Sequence, residues 1–343
     1  MRGETVALQF GIFDHLDDNG IPLAELFETR LELIEQYDRA GFRSYHIAEH
    51  HATPLGMAPS PSVFLAAVAQ RSERLRFGPL LYITPMYHPL RVAEEVVMLD
   101  HMSRGRLELG LGRGASPIEI AGFDVDPDQA AAMNREATAL ILEALTSDIV
   151  NHDGKFYRCK NVRIAARPLQ QPYPPLWFAP VEPSRAADAA KMKGNMVTLI
   201  PNAGVKALTA AYRAAWQAQG NSAADMPLVG AFRHVVVADS DAKARELAGP
   251  AYRLWRHHMA FLWEWGGIPF PLGAIYPDDF AALEAMGMGV AGAPDTVRRY
   301  VADSVEATGI TYFLADMAFG SLPYEAASRS VDLFAKEVMP AFR

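Results

Sequence analysis

Cysteine is almost missing from this chain. Cys159 is the only one among 343 residues, which excludes an internal disulfide and a cysteine-based metal framework and suits a reducing cytoplasm. Apolar runs of about 18 residues, the length a membrane span needs, are missing as well. The opening "MRGETVALQFGIFDHLDD" has neither the long apolar segment nor the small-residue cleavage site of a secretory leader. Basic charge is not in surplus: 32 Lys and Arg stand against 40 Asp and Glu, a net charge of −8, so nucleic acid is not the expected partner. The helical zinc spacing HExxH and low-complexity tracts do not occur. What these absences leave is a soluble, cytoplasmic, globular protein without a membrane partner. Half of its residues are hydrophobic, enough to bury a large core.

What is present is an alternation of short apolar runs with amphipathic helices. "VALQFGIF" has strand length, and Leu23, Leu26, Phe27, Leu31 and Ile34 follow at helical spacings of three and four, opened by Pro22 and closed by Gly41. The unit recurs through "SYHIA", "LRFGPLLYI", "RLELGLG", "PLWFA", "NMVTLI", "LVGAFRHVVVA" and "TYFLADM". Eight apolar strands without hairpin spacing imply parallel pairing through crossover helices. The economical arrangement is an α/β fold of the (β/α)8 TIM-barrel class, one domain over residues 1–343, and its rival is an open doubly wound sheet. Two stretches exceed ordinary barrel loops and are expected as insertions after strands four and seven. Residues 113–174 hold a helical pattern at 128–146 and the hairpin "IVNHDGKFYRC" turning at Asp153 and Gly154; residues 241–310 hold the aromatic run with Trp255, Phe261, Trp263 and Trp265.

In such a barrel the residues just past each strand converge on one rim. Here they are Asp14 and His15, then Glu49, His50 and His51, then Tyr82, Thr84 and His88, then Arg113, and finally Glu182, Ser184 and Arg185. Adjacent strand residues point to opposite faces, so Glu49, His50 and His51 are poorly spaced to hold one metal ion, and no metal is expected. His51 could satisfy loop carbonyls, His88 could cap the helix beginning at Pro89, and His50 should face the rim cavity. "GLGRGA" matches the dinucleotide fingerprint, but helical periodicity resumes only near Asp128, whereas a dinucleotide loop should open directly into a helix. The glycines and Arg113 read better as an anion site at the barrel mouth. In "VEPSRAADAA", Ser184 has the character of an N-cap, which would present a helix N-terminus to the same anion.

The segments "GFRSYHIAEHHATPLG" and "ITPMYHPLRVAEEVVMLDHMSRGRLELGLGRG", with the tail "GAPDTVRRYVADSVEATGITYFLADMAFGSLPYEAASRSVDLFAKEVMPAF", resemble the flavin-dependent, bacterial-luciferase-like monooxygenases over nearly the whole chain. The resemblance implies a TIM barrel that binds reduced FMN at the C-terminal face and uses O2 to oxygenate a small, hydrophobic organic substrate. It places Arg113 on the FMN phosphate, aided by Ser184 and the Arg185 amide. Glu182 belongs to the same loop, where it and Pro183 depart from the family's usual small or polar residue. It matches Leu80–Leu81 to a non-prolyl cis peptide beneath the flavin ring. Gly112 stands where the luciferase itself has cysteine, which argues against light emission from an aldehyde. It also implies a separate NAD(P)H-flavin reductase and a homodimer built on the helices after strands one to three. His50 is the expected proton-transfer group, His234 is expected to face the same cavity, and the aromatic insertion is expected to cover it. The alternatives are an F420-dependent dehydrogenase or reductase on the same barrel, an NAD dehydrogenase, and a non-catalytic flavin-binding relative.

Overall fold

A computed structural model describes residues 7–342. Val6, expected in the first strand, lies outside the described residues, as do the other ends of the expected 1–343 domain. The apolar runs pair side by side in parallel. They comprise β1 (Gln9–Asp14), β2 (Ser44–Ile47), β3 (Arg76–Pro79), β4 (Tyr82–Ile83), β5 (Leu109–Gly112), β8 (Leu176–Phe178), β9 (Asn195–Thr198), β10 (Val229–Val237) and β12 (Tyr312–Asp316). The hydrogen-bonded order is β3-β2-β1-β12-β10-β9-β8-β5-β4. β3 and β4 are two halves of one strand, separated by the cis Leu80–Leu81 peptide. β3 bridges Phe77 to Leu107, two residues ahead of β5, and β4 pairs Tyr82 with Leu111 of β5, which brings the ring round into a barrel.

The connecting helices are α1 (Leu23–Ala40), α2 (Pro61–Arg71), α3 (Pro89–Met102), α4 (Pro117–Gly122), α5 (Ala130–Thr146), α6 (Pro183–Lys191) and α7 (Asn202–Ala218). They continue with α8 (Asp241–Trp265), α9 (Phe280–Ala285), α10 (Pro294–Thr308) and α11 (Tyr324–Leu333). α1 shows why they form where they do: Leu26, Leu33, Ile34 and Tyr37 share one buried face, and Gly41 takes the left-handed conformation that ends the helix. Between β5 and β8 lie α4, α5 and the antiparallel hairpin β6 (Ile149–Asp153) with β7 (Arg158–Arg163). Between β10 and β12 lie α8, which runs through Pro250, and then α9, α10 and a strand absent from the sequence reading, β11 (Gly289–Gly292), parallel to the end of β10. Glycines at both ends of its four residues hid it from a reading based on apolar runs. Among the described residues no helix is long and apolar enough to cross a membrane.

Side chains from alternate strand positions fill the barrel. Phe13, Leu80, Trp177, Val197, Phe232, Tyr312 and Leu314 form its apolar centre. Gly11 makes room for this packing, since a Cβ there would lie 1.6 Å from Tyr312 Oη. The floor, at the strand N-termini, is polar. Glu108 Oε1 accepts from Arg43 at 2.6 Å and from Arg76 Nε at 2.8 Å, while Oε2 accepts from Trp177 Nε1 at 2.8 Å. Burial pushes the Glu108 pKa up, but Arg43, His46 and Arg76 outweigh it and leave the group below the usual carboxylate range.

Because two guanidiniums and an indole converge on this carboxylate, Glu108→Gln should destabilise the fold by about 3–5 kcal/mol, the cost of breaking a buried ion pair. Urea unfolding at neutral pH measures it, and a change under 1 kcal/mol would show that the floor does not depend on the charge.

Candidate functional site

At the opposite end of the barrel the Glu-His-His run divides its labour. Glu49 and His51 turn into the structure: Glu49 accepts from Ile83 N at 2.9 Å and Tyr87 Oη at 2.9 Å, and His51 Nε2 lies 2.8 Å from Glu49 Oε1. They brace the end of β2 against β4. His51 therefore serves a neighbouring carboxylate, not the loop carbonyls expected for it. His50 alone turns towards the rim, where its Nδ1 lies 3.0 Å from Glu119 Oε1. The same carboxylate oxygen accepts from His51 N at 3.0 Å. Glu49 and His51 thus pair with each other while His50 turns to Glu119, and among the described residues no group of three or more candidate ligands is placed to hold a metal ion.

Glu119 escaped the sequence reading. It sits in α4, which begins two residues after the "GLGRGA" loop and is capped by Ser116 Oγ accepting from Glu119 N at 3.3 Å. The expectation that no helix forms before Asp128 is therefore corrected. The Ser-Pro-Ile-Glu spacing is a capping box, a signal that was available in the sequence.

His15, just past β1, stacks on His50 with ring centroids 5.7 Å apart and planes at 21°. Trp255, fully buried on α8, donates from Nε1 to His15 Nδ1 at 3.3 Å. Asp316, at the end of β12, brings Oδ2 to 3.7 Å from His15 Nδ1 and 3.8 Å from His234 Nε2. Neither contact is an ion pair. Burial, together with Asp14 and Asp17, raises the Asp316 pKa well above the carboxylate range, and burial, then His50 and His234, lowers that of His15 well below the imidazole range. Two neutral imidazoles therefore face a carboxyl group whose pKa burial has raised.

His234 does not reach the open part of the rim, contrary to expectation. It is fully buried, boxed by Phe232, Tyr252, Trp255 and Phe319, and both of its ring nitrogens are sealed without a partner. Burial, and then Arg233, lowers its pKa to about 3.

Arg113 follows β5 directly, is exposed, and forms no ion pair among the described residues. Beside it Leu81 lies across the glycines of β5: a Cβ on Gly112 would stand 2.4 Å from Leu81 Cδ1. Leu80 is buried in the barrel centre while Leu81 stays partly exposed. At the start of α6 the N-cap is Glu182, with Pro183 in the first turn, so Ser184 is not the N-cap; proline's fixed φ starts the helix two residues earlier. Ser184 and Arg185 are exposed, and Arg185 lies 3.5 Å from Asp188. A carboxylate repels an anion, so Glu182 could contribute only backbone to one. His88 caps α3, its Nδ1 accepting from Leu90 N at 3.3 Å. Together the rim offers an unpaired guanidinium, an apolar leucine shelf and a carboxylate-oriented imidazole, which suits a ligand with an anionic tail and a flat apolar head.

A family model described as luciferase-like monooxygenase matches residues 8–311. The chain is 40% identical to the protein y4wF of Sinorhizobium fredii over 97% of this chain and 96% of that one. It is 27% identical to the oxygenase component of the flavin-dependent trigonelline monooxygenase of Acinetobacter baylyi, over 98% of this chain and 96% of that one. The crystal structure of the monooxygenase RslO1 from Streptomyces bottropensis superposes with a TM-score of 0.87 at 26% identity, covering 98% of this chain and all of the other.

The buried neutral His234 makes an acid liability. Its folded pKa of about 3 lies below the ordinary 6.5, so its contribution is complete above pH 6.5 and is lost as pH falls towards 3, because the unfolded chain takes up the proton first. His234→Phe should recover about 2–3 kcal/mol of the stability that the wild type loses between pH 7 and 4.5. Parallel urea curves at the two pH values check this, and equal losses in both proteins would refute it.

Proposed function

The chain belongs to the luciferase-like monooxygenase family, and from that premise we propose that it is the oxygenase part of a two-component flavin monooxygenase. In this reading it takes reduced FMN from a separate NAD(P)H-flavin reductase and uses O2 to oxygenate a small, hydrophobic organic substrate. The observation that carries the proposal is the rim itself: an unpaired Arg113 and a Glu119-oriented His50 lie at the same end of one barrel. The flavin-dependent trigonelline monooxygenase, an oxygenase component by name, supports it over nearly the full length.

Reduced FMN, when bound, supplies the electrons that activate oxygen. The chain supplies position, dryness and proton control. Arg113 holds the phosphate with a planar fork of donors, and Ser184 and the Arg185 amide at the start of α6 assist it. Leu81, backed by the buried Leu80, would offer the flavin ring an apolar surface. His50 donates its Nδ1 hydrogen to Glu119, which leaves Nε2 free to take or return a proton at the reacting face. Trp255 and its neighbours on α8 keep water from the interior. His234, sealed behind the same aromatic wall, does not touch the substrate. A second copy of the chain would cover Val63 on α2 and Met98 and Met102 on α3, which are exposed apolar positions. The protein acts in the cytoplasm.

Arg113→Ala should weaken reduced-FMN binding by at least about tenfold, the value of one charge-assisted contact. His50→Asn should leave that affinity intact and slow substrate-dependent reoxidation of reduced FMN after an oxygen pulse by about 100-fold, with Glu119→Gln falling between it and the wild type. Anaerobic titration followed by stopped-flow absorbance reads both quantities. Tight binding of F420 with no binding of FMN would replace this reading with the deazaflavin alternative.

A further inference from the structure

His15 has no part in the oxygenase reading, yet its ring is held at the rim by Trp255 and by stacking on His50. An indole nitrogen has only a hydrogen to offer. Because Trp255 Nε1 meets His15 Nδ1 at 3.3 Å, that Nδ1 carries the lone pair, and the proton of the neutral ring sits on Nε2. His50 has the reverse arrangement. Its Nδ1 faces the Glu119 carboxylate, which can only accept, so Nδ1 holds the proton and Nε2 is bare.

The two rings stack at 5.7 Å with a 21° tilt, and their Nε2 atoms remain free. Neither is bonded within the described residues, and neither is among the sealed unpartnered atoms, in contrast to both nitrogens of His234. The rim therefore carries a fixed donor and a fixed acceptor side by side. Two neutral imidazoles free to exchange tautomers would show no such polarity. Here one is set from α8 and the other from α4, two elements that belong to different excursions of the chain.

We propose that His15 and His50 act as a donor–acceptor pair for one hydroxyl oxygen of the substrate, with His15 Nε2–H donating to it and His50 Nε2 accepting from it. A hydroxyl is the simple group that serves both at a single atom. An ether or carbonyl oxygen would leave the His50 nitrogen unpaired, and a hydrocarbon would strand both, a loss that polar sites use to reject analogues lacking the group. The pair selects alcohols and phenols over their methyl ethers and over hydrocarbons of equal size. His15 and His50 contact the substrate; Trp255 is a positioning residue that acts through His15. The inference rests on the oxygenase reading only in taking this cavity as the substrate site.

The test uses the whole chain without flavin, 15N-labelled at histidine. Long-range 1H–15N spectra should show His15 with a protonated Nε2 and a bare Nδ1, and His50 with the reverse; Trp255→Phe should turn the His15 pattern into an average of the two tautomers. Titration with 4-ethylphenol should move both Nε2 resonances, whereas 4-ethylanisole should move neither or bind about tenfold more weakly. His15→Phe should lose that discrimination, and His15→Asn, which keeps a donor, should retain part of it. A wild-type His15 that is protonated on Nδ1 or averaged overturns the proposal, as do equal shifts with phenol and ether or no shift with the phenol. None of these signals needs turnover. A protein that passes them but fails to consume oxygen with reduced FMN would lose the oxygenase reading alone.

Discussion

Desolvation inside the barrel governs the rest of this structure. Parallel strands with helices outside leave an interior without room for bulk water, so every polar group placed there must find a partner, give up its charge or open to the rim. The floor takes the first course. Glu108 is ionised and held by Arg43, Arg76 and the Trp177 indole. The middle layer avoids the problem with Phe13, Phe232, Tyr312 and Leu314. The rim takes the second and third courses together: burial holds His15 and His234 neutral, and His15 and His50 each keep a ring nitrogen free.

That gradient explains why so few of the many polar residues near the strand ends have chemical freedom. Asp14 is held by Arg30 and Tyr45, and Asp17 by the Gly320 amide and by Arg30. Glu49 is used up by Ile83, Tyr87 and His51. These groups pin the loops that follow β1, β2, β4 and β12 to one another. Against this fixed background Arg113 and the paired imidazoles stand out because their polar atoms remain available.

Much of the fold was legible in the sequence because barrel strands buried on both faces are nearly unbroken apolar runs and their helices keep a 3.6-residue period. α1 runs between the expected Pro22 and Gly41 and α3 begins at the expected Pro89, whereas the hairpin turns over Gly154–Tyr157, because Asp153 still pairs with Arg158. β11 was not legible, since four residues with glycine at each end carry too little pattern. The helix start at Glu182 was obscured by a serine two residues later, although proline's preference for the first turn outranks it. At the rim, His50 and Arg113 could be named from strand position alone. Glu119, Asp316 and the buried setting of His234 could not, because each depends on which side chain crosses the barrel mouth, a fact about packing between segments more than 60 residues apart.

The fully buried Trp255 belongs to α8, part of the excursion between β10 and β12, yet its indole dictates which nitrogen of a first-strand histidine bears hydrogen. Excursions of this sort are the segments that diverge and recombine most readily between barrels. A chimera that replaces this one therefore alters more than the shape of the entrance: it rewrites the hydrogen-bonding sign of a residue some 240 positions upstream, and the inherited strand then presents a different chemical face to whatever enters.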